Sequence, residues 1–217
     1  MQGSGLIIFS RADSRVPCCM DKLNQSLRVG IGASGAEGLG DIGHLLGSWP
    51  DHLDATAFVV LHRPSNKESN LPAVLRRQSR IPVEVATTGK RLQPRTCYVG
   101  EPDKILSLAA PDGFVMLDGS NNQYRNRTID VLFDSLAITA ENRAVGIVLS
   151  GSLDDGSRGL AAIHAAGGLT MVLDPGAKPR GMQQNAIDYD GPISFIGSAI
   201  DIAHVLSGIY FGRQRRT

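Results

Sequence analysis

A chain of 217 residues, 42% apolar and 20% charged, is long enough for one α/β domain with a substantial core, and its 25 glycines point to many tight turns rather than to disorder or a collagenous repeat. A formal charge of +1 writes no bulk attraction to nucleic acid or to an acidic membrane into the composition. Cys18, Cys19 and Cys97 match neither a disulfide framework nor a zinc spacing, and no run of about 18 apolar residues is present, so the expectation is a cytoplasmic chain without membrane insertion.

In chain order, residues 1–26 show no sustained period and are read as a loosely ordered leader; the short apolar run at 6–9 is broken by Arg11 and Asp13, which argues against a secretory signal. The fold begins at Leu27. Residues 27–33 read as a strand, and Leu39, Ile42, Leu45, Leu46 and Trp49 mark one face of a helix starting near Leu39. A strand at 57–61 precedes a helix carrying Leu71, Val74, Leu75 and Gln78. Shorter strands at 83–86, 97–99 and 114–117 read as a less regular insert. Regular alternation resumes with a helix at 129–140, a strand at 144–149, a helix at 159–166, strands at 169–173 and 193–196, and a closing helix at 199–210. Residues 211–217 read as a basic, frayed tail. Continuous apolar strands separated by helices predict a single-domain, doubly wound α/β fold, with a mostly parallel sheet and helices on both faces.

In such sheets ligands lie beyond the carboxyl ends of the strands. Three of those ends carry Ser34, His62 and Asp155. A serine hydroxyl needs a positioned base to take its proton as it attacks, the role expected of His62, and a carboxylate at Asp155 would fix the tautomer and steady the imidazolium. Each residue also has a plainer reading: Ser34 as a helix cap, His62 as a hydrogen-bonded structural residue, and Asp154-Asp155-Gly156 as a turn. His44, His52, His164 and His204 lack metal-ligand spacing, so neither a metal nor a cofactor is expected. One rival uses the same strand end. Gly30-Ile31-Gly32-Ala33-Ser34-Gly35 fits a dinucleotide-binding GxGxxG, but the ribose-binding acid that should end the second strand is replaced by His62.

From about Leu27 to Tyr210 the chain resembles the catalytic domain of the chemotaxis protein-glutamate methylesterases, the CheB family. Gly32-Ala33-Ser34 is similar to the family's Gly-Ala-Ser loop, and His62-Arg63-Pro64 to its His-Met-Pro. The segment from Leu149 through Ser150, Gly151, Ser152, Leu153 and Asp154 to Asp155-Gly156 is similar to Leu-Thr-Gly-x-x-x-Asp-Gly, which picks out Asp155 over Asp154. Arg125-Asn126-Arg127 with Ile129-Asp130-Val131-Leu132-Phe133, and Gly181-Met182 with Asn185-Ala186-Ile187, resemble two further family segments. The resemblance implies hydrolysis of γ-glutamyl methyl esters on the cytoplasmic part of chemoreceptors, with some members also deamidating glutamine. Ser34 would be the nucleophile, His62 base then acid, and Asp155 the orienting carboxylate. The implied partners are a methylated receptor and a response-regulator receiver domain, separate or fused; the 26 residues ahead of Leu27 are too few to form one.

Departures from the family pattern surround the nucleophile. Gly35-Ala36-Glu37-Gly38 reads as a loop one residue longer than usual, with Glu37 adding negative charge where an oxyanion would form. Leu61, Arg63 and Gln183 stand where the family has Gln, Met and Pro. These differences leave three alternatives: a docking domain that keeps the fold without the catalysis, an esterase with a different small ester as substrate, and the dinucleotide-binding reading. Arg125 and Arg127 are read either as steering an acidic receptor surface or as exposed ion pairs.

Overall fold

The computed structural model describes residues 26–63, 70–101, 104–109, 114–118, 127–152, 154–177, 180–189 and 191–214. Most of the expected leader, the end of the tail, Pro64, Arg125 and Leu153 lie outside them. The described elements are, in order, β1 (Leu27–Ser34), α1 (Gly35–Gly47), β2 (Ala55–His62), α2 (Leu71–Gln78), β3 (Val83–Val85), β4 (Lys90–Arg91), β5 (Cys97–Val99), β6 (Ile105–Leu108), β7 (Phe114–Asp118), α3 (Thr128–Ala140), β8 (Ala144–Val148), α4 (Ser157–Ala165), β9 (Leu169–Leu173), α5 (Met182–Asp188), β10 (Phe195–Gly197) and α6 (Ala199–Gln214).

Seven strands form a sheet in the order β10-β9-β8-β1-β2-β5-β3, and every described pairing within it is parallel. Strands buried on both faces need no apolar–polar alternation, which is why β1, β2 and β8 read as continuous runs. The chain winds outward from β1 through β2 and returns to place β8 on the other side of β1. That reversal opens a crevice beyond the ends of β1 and β8, where an open sheet binds its ligands.

Alternate residues of each strand serve two apolar layers. Val29, Ile31 and Ala33 of β1 join Ala57, Val59 and Leu61 of β2 against α1, α2 and α6, through Ile42, Leu45, Leu46, Leu71, Leu75, Ile202 and Leu206. On the opposite face, Phe58 and Val60 pack with Phe133 and Leu136 of α3, Leu160 and Ile163 of α4, and Met182 of α5. Gly30 and Gly32 of β1 also face α3. Leu136 and Phe133 reach within 2.6 and 2.7 Å of where a Cβ at residue 30 would sit, and Ile129 fills the same space at residue 32. The glycine pair of the GxGxxG pattern thus seats a helix against the sheet.

The insert expected to be irregular divides between two sheets: its strands at Val83–Val85 and Cys97–Val99 are β3 and β5 of the parallel sheet, and its third, β7, lies in a second, antiparallel sheet ordered β4-β7-β6. Its β6 packs on α3, and the Leu108 amide donates to Ser135 Oγ at 3.0 Å. Two expectations need correction. Residues 35–38 are the first turn of α1 rather than a loop, so the helix begins at Gly35 and not near Leu39. The closing helix runs to Gln214, four residues past its expected end.

Candidate active site

Ser34 and His62 are the last residues of neighbouring parallel strands and are register partners. Adjacent strands lie about 4.8 Å apart, and residues in register project to the same side, so both side chains belong to the face covered by α3. Ser34 occupies the position before α1 in an extended conformation (φ −142°, ψ 141°), yet its side chain makes no capping hydrogen bond. Among the described residues its hydroxyl makes no hydrogen bond at all, to His62 or to any other group. Gly35, at φ +71°, turns the chain from strand into helix without an intervening loop. The Ser34 amide donates to the Ser150 carbonyl at 2.9 Å, which ties the end of β1 to the segment after β8.

Ser150 links three elements. Its amide donates to Asp41 Oδ2 of α1 at 3.3 Å, its carbonyl holds Ser34, and its hydroxyl accepts from Gln183 Nε2 of α5 at 3.1 Å. The next residue, Gly151, lies directly over Ser34. A Cβ there would come within 2.8 Å of the serine Cβ and 3.0 Å of its nitrogen, and would strike the Met182 sulfur. A side chain at residue 151 is therefore excluded by the backbone and Cβ of Ser34.

The imidazole is held from the opposite side. His62 Nε2 lies 2.6 Å from Asp155 Oδ2. A carboxylate can only accept, so Nε2 carries the proton and Nδ1 is left as the ring's acceptor. The His62 side chain is 26% exposed and that of Asp155 only 1%, so one end of the pair is open to solvent and the other sealed. Asp154 is exposed. Asp155 in turn accepts two backbone N–H bonds from the first turn of α3: Ile129 N to Oδ2 and Asp130 N to Oδ1, each 2.9 Å. Amides in a helix's first turn have no intrahelical partner and carry the positive end of its dipole, which suits them to a buried carboxylate.

In the sequence Asp130 stands out only as part of a segment resembling the family's. It is 5% exposed, and its Oδ1 accepts from both Gly156 N and Gly159 N at 2.9 Å. Burial raises its pKa, the N–H bond from Gly159 opposes that rise, and the negative charge of Asp155 adds to it. An acid in the opening turn of a helix was the visible sign of this role. Its two partners, however, are 26 and 29 residues away.

The departures near the site are placed as follows. Glu37 is exposed on the first turn of α1. Leu61 is 5% exposed and belongs to the core on the face away from Ser34. The Arg63 guanidinium donates to the carbonyls of Leu61 and Gly100 at 3.3 and 3.2 Å, and so lies back along the sheet end. Gln183 is buried against Ser150. Arg127 is exposed at the position before α3, and His44, His52, His164 and His204 are all exposed. A cleft of about 490 Å³ borders the Asp155 segment, walled by Asp154, Arg158 and Tyr189, with Arg180 bound to Asn185 and Asp188. Among the described residues no helix is long and apolar enough to cross a membrane.

Comparison with known proteins gives a consistent set of likenesses. A family model described as CheB methylesterase matches residues 29–206. The protein-glutamate methylesterase/protein-glutamine glutaminase 1 of Chromobacterium violaceum is 32% identical over 155 residues, which cover 70% of this chain and 43% of that protein. The Salmonella typhimurium protein of the same name, without the numeral, is 29% identical over 188 residues, covering 84% of this chain and 52% of its own length. The chain thus spans about half the length of these curated relatives. The crystal structure of the Thermotoga maritima CheB methylesterase catalytic domain superposes with a TM-score of 0.76 at 25% identity, over 85% of this chain and 98% of that one.

Proposed function

This chain belongs to the CheB methylesterase family, and on that footing we propose that it is a cytoplasmic serine esterase that hydrolyses γ-glutamyl methyl esters of chemoreceptors to glutamate and methanol. The observation that carries the reading is the Asp155-bound imidazole of His62 at a strand end in register with Ser34.

In the proposed reaction the Ser34 hydroxyl rotates toward Nδ1 of His62, which takes its proton as the oxygen attacks the ester carbonyl. Negative charge develops on the carbonyl oxygen. The backbone amides in the first turn of α1, immediately after the nucleophile, lie at the positive end of the helix and are the donors best placed by sequence to meet it. The tetrahedral intermediate collapses as the imidazolium returns the proton to the departing methoxide, releasing methanol and leaving a glutamyl ester on Ser34. Water, deprotonated by the same imidazole, then attacks that ester, and collapse restores the serine and frees the γ-carboxylate. Asp155 keeps the proton on Nε2 throughout and stabilises the imidazolium, without itself being protonated. With a glutamine side chain the same steps would release ammonia, so deamidation is a second activity of the proposed site.

The test is methanol release from a methylated receptor fragment by the wild-type chain and by Ser34→Ala. The expected result is turnover by the wild type and none above background by the variant. Equal rates for the two would overturn the esterase reading, and a panel of small methyl esters would then show whether another ester is the substrate.

A further inference from the structure

We propose that Asp130 is a positioning residue for this site, with its carboxylate fixing the backbone that carries Asp155 and hence the orientation of the His62 ring. The kinetic part of this inference rests on the esterase reading, whereas its geometric part does not. Asp155 lies between the end of β8 and the start of α4, outside regular structure, where nothing in the strand ladder sets its side-chain direction. Asp130 reaches that segment in two ways. Its main-chain N–H donates to Asp155 Oδ1 at 2.9 Å, and its own Oδ1 accepts from the amide of Gly156, the very next residue, also at 2.9 Å.

The same oxygen takes the Gly159 amide, so one atom of α3 holds both the residue after Asp155 and the first turn of α4. Gly156 itself has φ +97°, a conformation that most residues rarely adopt, so this turn is narrowly defined. The position of α3 is set independently, because Ile129 and Phe133 fill the spaces above Gly32 and Gly30. The result is a closed loop of contacts in which Asp155 grips the amides of α3 while Asp130 grips those of α4. Removing the second grip would let the Asp155 segment move away from α3, and the ring of His62 would follow its partner. Displacement of a catalytic group by about 1 Å can cost about a hundredfold in rate.

This role depends on an acceptor oxygen and not on charge, and the variants are chosen accordingly. Asp130→Asn keeps an oxygen for both amides, whereas Asp130→Ala removes it. The first readout is the downfield proton resonance of the hydrogen-bonded His62 Nε2–H, identified by its loss in His62→Gln. The resonance is expected to persist in Asp130→Asn and to vanish in Asp130→Ala, while the dispersed backbone amide spectrum of the folded protein is retained. The second readout is kinetic: kcat within about fivefold of wild type for the Asn variant, and a fall of about a hundredfold for the Ala variant with KM nearly unchanged. An Ala variant that keeps both the resonance and kcat overturns the proposal, and so does an Asn variant that loses as much as Ala. Where Asp130→Ala does not fold, Asp130→Leu, similar in shape to Asp and without an acceptor, is read in the same way; failure of both to fold makes the oxygen a structural support of the domain and also overturns it. Should the wild-type chain release no methanol from any ester, the esterase reading fails and the resonance comparison alone decides on Asp130.

Discussion

At the β1–α1 junction the chain passes from Ser34 straight into a helix, and the serine hydroxyl caps nothing and bonds to nothing among the described residues. At the β8–α4 junction the opposite holds: four buried backbone amides are taken up by the carboxylates of Asp155 and Asp130, which lock the turn against α3. Both junctions lead from the carboxyl end of a central strand to a helix N-terminus, so topology does not explain the difference. What separates them is the work proposed for each. A group that must change bonding partners during a reaction cannot also be an essential structural bond, whereas the group that orients its base gains from rigidity. The contrast places stability and the proposed reactivity at the junctions that follow two neighbouring strands.

Ser34→Ala gives the sharpest test of that contrast. Activity is expected to fall by about 10⁴-fold or more, while stability in urea stays within about 0.5 kcal/mol of wild type. A loss near 1 kcal/mol, the usual cost of deleting a helix cap, would show that the hydroxyl is structural and would break the distinction. Asp155→Ala should do what Ser34→Ala does not. It leaves the Ile129 and Asp130 amides buried without a partner, at about 1–3 kcal/mol each, so activity and the urea midpoint should fall together.

Gly32→Ala links the junctions through the helix between them. A methyl group there meets Ile129, whose amide holds Asp155. Overpacking should cost about 1–3 kcal/mol, and kcat should fall although no reacting group has been changed. An equivalent stability loss with full activity would mean that α3 does not transmit its position to the carboxylate.

The smallest expected effect is on pH dependence. Burial raises the pKa of Asp130 above its ordinary 3.8. The folded state therefore holds this proton more tightly than the unfolded chain, and the stability gained from the protonated form is lost as pH rises from about that value through the raised one. Asp130→Asn does not titrate there. The stability of wild type relative to the variant should accordingly decline with rising pH across that acidic window and then level off, as followed by thermal unfolding at closely spaced pH values.

The central sheet was legible because its strands are short apolar runs rich in Val and Ile, separated by segments of helical period. Residues Ala144–Val148 and Leu71–Gln78 needed no tertiary information to be recognised. Gly35 through Gly38 did need it. Two glycines in four residues argue against a helix on propensity, and that turn forms where Gly38 can press against Ala33 and the Ser150 carbonyl. Lys90–Arg91 is a two-residue strand defined wholly by its pairing with β7, so no pattern within it could announce a sheet. Within the site, residue type and strand position point to Ser34, His62 and the Asp154-Asp155 pair, and the family resemblance chooses Asp155. The roles of Gly151 and Asp130 stayed hidden because each depends on backbone brought in from a distant part of the chain.

The pairing of Ser34 with His62 has a consequence for the length of β1. Successive residues of a strand point in opposite directions, so odd and even positions form two independent phases. Deleting one residue between Leu27 and Ala33 while the ladder below stays in place would shift Ser34 into the odd phase and turn its hydroxyl toward the layer occupied by α1 and α6. A two-residue deletion would restore the phase, but would withdraw the serine by about 6.6 Å along the strand. The proposed reacting pair is thus specified by parity as well as by residue type: only an even change keeps the hydroxyl on the imidazole's side, and only zero change keeps the two level.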